Sequence, residues 1–137
     1  MKLVINRCYG GFGLSNKAMR AILKRKGITS FERESSFGSV DFYKIPPEKY
    51  DKLSEEAKIK RSEGATNAYA EVNDTYISAY DWPRNDPDLV AVVEELGDDA
   101  SDRFAQLAVV EIPDDVDYYI DEYDGIETVH ENHRSWT

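Results

Sequence analysis

The chain has 137 residues, 41% of them hydrophobic, and a net charge of −10, which suits one domain with a buried core. No apolar run approaches the roughly 18 residues of a membrane helix, MKLVINRCYGG lacks the apolar centre and cleavage site of a signal peptide, and the single Cys8 rules out an internal disulfide, so the chain reads as cytosolic. Residues 1–31 carry seven Lys/Arg and no acid, whereas residues 86–131 carry sixteen acids against Arg103 alone; this disfavours general nucleic-acid binding and implies partners, or surfaces that pair in the fold or in an oligomer.

KLVIN at 2–6 reads as a short strand. The glycine-rich stretch NRCYGGFGLS follows. Ser15 is a natural N-cap for a helix over about 16–26, with Ala18, Met19, Ile22 and Leu23 as its apolar stripe and Gly27 as its stop. Residues 29–38 carry no clear pattern, and SVDFYKI at 39–45 alternates as a strand. Pro46 and Pro47 set up a helix to about residue 63. Its apolar face, Tyr50, Leu53 and Ala57, is thin, which predicts a partly exposed, mobile excursion over 46–63. DTYISAY at 74–80 reads as a strand. After the WPRNDP loop, Asp86 or its neighbour caps a helix with Pro87 in its first turn, a stripe of Leu89, Val90, Val93 and Leu96, and a stop at Gly97. LAVVEI at 107–112 is the clearest buried strand and VDYYI at 116–120 another; they either pair as a hairpin or take separate places in a sheet. Tyr123-Asp124-Gly125 is a turn, and the tail beyond it reads as a short helix or an ordered coil held by Trp136. The order predicts an α+β fold: a single domain over 1–137, with a mixed or antiparallel sheet and about three helices.

Two stretches are candidate ligand sites. Strand, glycine-rich loop and helix is an arrangement that cradles phosphates, because glycines admit close backbone and free N–H groups face the anion. Arg7, Tyr9, Gly10, Gly11, Phe12 and Gly13 would form that cradle. The glycine spacing matches neither G-x-x-x-x-G-K-[ST] nor G-x-G-x-x-G, so a tight turn packed by its aromatics stands as the plainer reading. Trp82, Arg84 and Asn85 suit a planar, phosphate-bearing ligand, since aromatics stack, Arg clamps phosphate and Asn reads an adenine edge. The plainer reading there is a loop with Trp82 as core and Asn85 or Asp86 as cap.

Other constellations are weaker. Glu127, His130 and His133 would share one face of a helix, but H-E-x-x-H is absent. The acids from Asp114 to Asp124 lack the EF-hand order and read as a solvated edge. Neither is assigned a metal. No cofactor is implied, no catalytic residue is marked out, and the balance leans away from an enzyme.

INRCYGGFGLS at 5–15, RNDPDLVAVVEELG at 84–97 and EIPDDVDYYIDEYDGIETVHENHRSW at 111–136 together resemble a set of small tailed-bacteriophage proteins, mostly without assigned function. The resemblance implies an accessory protein in the cytoplasm of an infected bacterial host and supplies no catalytic residues. By analogy of class and not by motif, small phage proteins of this size without catalytic motifs include sponges that sequester nucleotide signals of bacterial immunity, such as the cyclic ADP-ribose-type signals of Thoeris systems. Arg134 and Trp136 would then join the loop residues around a pocket. Two expectations follow. One is non-catalytic binding of a phosphate-bearing, nucleotide-like small molecule, with a homo-oligomer expected. The other is an acidic protein–protein interaction factor that inhibits a host protein or mimics nucleic acid. A membrane partner is not expected.

Overall fold

Leu3, Val4 and Ile5 are apolar and buried to 4% exposure or less, and with Lys2 and Asn6 they form β1 (Lys2–Asn6). β1 pairs antiparallel with β5 (Leu107–Glu111), Lys2 opposite Glu111 and Asn6 opposite Leu107. The structure, a computed structural model, describes residues 1–35 and 38–132. The chain packs as two compact units: Met1–Lys26 with Trp82–Thr137, and Gly27–Asp81.

In the first unit, α1 (Asn16–Lys26) begins where the Ser15 hydroxyl accepts the Ala18 N–H at 3.1 Å. Its stripe, Ala18, Met19, Ile22 and Leu23, is buried as the spacing predicts. α2 (Pro47–Ser62) and the short α3 (Ala70–Asp74) belong to the second unit. α4 (Pro87–Leu96) returns the chain to the first, capped by the Asp86 carboxylate, which accepts the Asp88 and Leu89 N–H groups at 3.0 Å. Leu89, Val90, Val92 and Val93 of α4 pack in a core with β1 and α1.

The tail departs from expectation. Tyr118–Tyr123 forms β6 and Ile126–Glu131 forms β7, an antiparallel hairpin. Asp124 and Gly125 turn it with φ of 49° and 92°, the two positive values of the tight turn that matches strand twist. IETVHE becomes a strand because its β-branched residues suit a pleated surface and β6 supplies the pairing edge. β5 and β6 form no hairpin, since β1 is the partner of β5. His133, Arg134 and Trp136 lie outside the described residues.

In the second unit, β2 (Phe31–Glu34), β3 (Val40–Tyr43) and β4 (Tyr76–Ile77) pair antiparallel in that order. The strand expected over 74–80 shrinks to two residues. α3 claims its start, and at its end the Asp81 carboxylate accepts the Ser78 N–H at 3.0 Å, holding a 3₁₀ turn over Ala79–Asp81. α2 spans nearly its expected residues and buries Ala57 alone, as its thin face implies. The architecture is α+β with antiparallel pairing throughout the described strands, in three small sheets and not one. Among the described residues no helix is long and apolar enough to cross a membrane.

Part of the charge asymmetry is met inside the first unit. Lys2 pairs with Glu94 at 2.9 Å, Lys17 with Asp99 at 3.8 Å and Arg25 with Asp88 at 3.3 Å, and the N-terminal ammonium pairs with Asp114. Exposed pairs of this kind contribute little to stability, because water and salt screen them. Lys26–Asp86, at 2.6 Å with side chains 17% and 11% exposed, is more sheltered. Burial alone would raise the Asp86 carboxyl. The Lys26 ammonium and the Leu89 and Asp88 N–H groups outweigh it and hold the carboxyl below 3.8. The same pair, led by the Asp86 hydrogen bond, holds Lys26 above 10.5. A carboxyl lowered on folding stabilises fully above its unfolded value and loses that contribution as pH falls through the folded one. For a raised lysine the contribution is full below the unfolded value and lost as pH rises through the folded one. Asp86→Ala is therefore expected to cost about 1–2 kcal/mol at pH 7, through the lost cap and bridge. Urea unfolding should show that difference narrowing below about pH 4; a gap that persisted undiminished at pH 2 would contradict the assignment.

Candidate functional site

The glycines of CYGGFGLS are there for packing at Gly10 and Gly13 and for backbone conformation at Gly11. A Cβ on Gly10 would overlap the Phe104 carbonyl oxygen, and one on Gly13 the Asp102 carboxylate. A Cβ on Gly125 would overlap the Tyr9 oxygen and the Gly11 nitrogen. Three segments, around residues 8–13, 102–106 and 123–125, thus meet with no space for a side chain between them. Gly11 has open space, and its φ of 89° is its reason for being glycine. The Arg7 N–H donates to the Gln106 carbonyl at 2.8 Å, and the Cys8 thiol lies 2.9 Å from the Phe104 carbonyl.

A buried polar hub ties these segments to the hairpin. Asn6 is fully buried. Its amide donates to the Cys8 and Gly125 carbonyls, both at 2.7 Å, and its side-chain oxygen accepts the Gln106 N–H at 2.8 Å. Its own backbone N–H donates to Glu127 Oε1 at 2.8 Å. Arg84 grips the same carboxylate with two nitrogens, at 2.6 and 2.7 Å. Arg84 also donates to the Val4 carbonyl at 3.2 Å, accepts the Val4 N–H on its own carbonyl at 2.9 Å, and lies 3.7 Å over the Phe12 ring. Among the described residues the edge of β1 opposite β5 thus has no third strand, and the Arg84–Glu127 pair takes the place of one. That answers why a charge pair is sheltered here: an unpaired strand edge would leave backbone donors and acceptors unsatisfied.

The sequence-predicted site residues therefore separate. Arg84 and Phe12 are held together as framework. Gly10, Gly11 and Gly13 form the packed turn. Trp82 is half-buried with the Lys26 ammonium 5.7 Å from its ring centre, and the exposed Asn85 amide lies 3.6 Å from the Met1 sulfur. Arg7 and Tyr9 are exposed. Arg134 lies outside the described residues. Asn6 and Glu127, the centre of the hub, carry no sequence motif; an Asn closing an apolar strand is the sole local sign. Glu127 and His130 face opposite sides of β7, because residues three apart in a strand alternate. Glu127 points to the hub, whereas His130 stacks on Tyr119 at 5.3 Å, so the helical face expected to join them does not exist.

At the end where the three segments meet, Tyr9, Phe104 and Tyr123 stand 73%, 63% and 74% exposed. Acidic Asp98, Asp102, Glu122 and Asp124 lie on the same segments or beside them, and Arg103 lies 5.6 Å from the centre of the Phe104 ring. An open hollow of about 400 Å³ beside the loop is lined by Cys8, Asp98, Asp102, Arg103, Phe104 and Gln106, among others. Two carboxylates in that wall oppose an anion, while projecting aromatics among acids are chemistry suited to a basic protein surface. Comparison with protein-family models, curated proteins and solved structures finds no match.

Proposed function

We propose that this is a non-catalytic binding protein whose acidic, aromatic-bearing end docks on a basic protein. In the setting implied by the phage resemblance, the partner is a host protein that it inhibits, or one that otherwise binds nucleic acid. The reading is carried by the three exposed aromatic rings on segments that meet at the glycine-rich loop. Buried aromatics dominate binding energy at interfaces, and surrounding charge steers encounter and sets salt dependence. Phe104→Ala with Tyr123→Ala is expected to weaken partner binding by about 30-fold or more while leaving the fold intact, since both rings are exposed. Pull-down from bacterial lysate over a salt series measures this. Capture that weakens with salt and is lost in the double variant supports the reading; capture indifferent to both refutes it.

The second reading, a phosphate-bearing, nucleotide-like ligand, draws on Arg103, Phe104 and Cys8 around the open hollow. Denaturing extraction of purified protein followed by mass spectrometry separates the two. A stoichiometric nucleotide would favour the ligand; an empty extract from protein that still captures a partner would favour docking.

A further inference from the structure

The second unit holds a separate cluster that the proposed docking end does not use. Tyr43 on β3 and Tyr76 on β4 are directly opposed in the strand register, their ring centres 5.8 Å apart and nearly edge to face. Tyr50, from the first turn of α2, adds a third ring 4.8 Å from Tyr43 and tilted by 54°. With Val72 and Asn73 these rings line an open hollow of about 340 Å³. That lies at the small end of the roughly 300–1,000 Å³ range of ligand clefts, the size for one side chain or a small ion.

Carboxylates act on the rings of the hollow, and the Arg33 guanidinium beside Tyr50 is paired with Asp51. Burial, first, then Tyr50 and Asp41 push the Tyr43 hydroxyl above its ordinary value; burial, then Asp41 and Asp81 do the same to Tyr76. The rings stay neutral at physiological pH, and the carboxylates of Asp41 and Asp81 act on them. Aromatic faces are the negative ends of ring quadrupoles, so rings and carboxylates favour the same sign of guest. The protein already shows the contact. The Arg33 guanidinium lies 5.6 Å over the Tyr50 ring, anchored by Asp51 at 3.0 Å.

From this juxtaposition we propose that Tyr43, Tyr50 and Tyr76 form a cage for an alkylammonium cation, carried by a lysine or methylated lysine of a partner chain or by a free quaternary ammonium. The inference stands on the second unit alone and is independent of the docking end.

The test is titration of the intact protein with tetramethylammonium, and in parallel with its neutral isostere neopentane as a saturated solution, reading the tyrosine ring resonances by NMR. The expected result is saturable shifts at all three tyrosines with the cation and much smaller shifts with the neutral compound. Tyr76→Leu, at a position 44% exposed, is expected to keep the backbone spectrum and bind the cation about fivefold more weakly. Absence of saturable shifts, equal response to the neutral isostere, or unchanged affinity in Tyr76→Leu would each overturn the cage. A trimethyl-lysine peptide and choline then distinguish the sources: tighter peptide binding assigns the cation to a partner chain, and equal or weaker binding assigns it to the free ion.

Discussion

Glu127→Ala is expected to lose about 3–5 kcal/mol of folding stability, the range for removing one partner of a buried ion pair. The side chain is 7% exposed and serves three donors: two guanidinium nitrogens of Arg84 and the Asn6 N–H. Truncation strands a positive charge beside Phe12 and leaves a buried strand-edge donor unpaired. Replacing both partners with apolar residues, Arg84→Met with Glu127→Leu, should cost less than Glu127→Ala, because no lone charge remains. The N–H and carbonyl on the free edge of β1 still lose their partners, so recovery should be incomplete. Urea denaturation of the single and double variants measures the coupling. A loss under about 1 kcal/mol in Glu127→Ala would mean that the pair is solvated and is no substitute for a strand.

Gly10→Ala is expected to lose about 2–3 kcal/mol, the upper part of the range for overpacking, because the new methyl meets the Phe104 backbone and no flexible side chain that could yield. Gly11→Ala, at the next residue of the same loop, should lose only about 1 kcal/mol, since its strain is conformational and its space is open. The contrast separates packing from ligand cradling. If the loop existed to approach a phosphate, Gly10→Ala would abolish ligand binding and leave the stability of ligand-free protein unchanged. Thermal or urea unfolding of the two variants, with ligand extracted, decides it.

Much of the fold was legible in local residues. Ser15, Asp86, Pro87, Gly27 and Gly97 mark helix ends through hydrogen-bonding and backbone preferences that need no tertiary partner. The buried stripe of α1 follows from a 3.6-residue period alone. The tail was misread because IETVHENHRSW has charges at spacings that also suit a helix. The strand state of Ile126–Glu131 depends on β6 and on the tight Asp124-Gly125 turn. The site was least legible. Arg84 looks like a ligand clamp until Glu127, 43 positions later, occupies it.

The sequence by itself determined the limits of α1, α2 and α4, the apolar stripe of α1, the α+β class and the opposition of a basic start to an acidic end, because each rests on residues within a few positions of one another or on composition. Only the tertiary structure decided that β5 pairs with β1, that four basic side chains of the start pair with acids of the same unit, and that three glycines seat one segment against two others. It also decided that the exposed Tyr9, Phe104 and Tyr123 lie on segments that meet. Those facts join residues about 100 positions apart, and pairing between distant segments is set by the packing that excludes water and satisfies backbone groups, which no short stretch of sequence encodes.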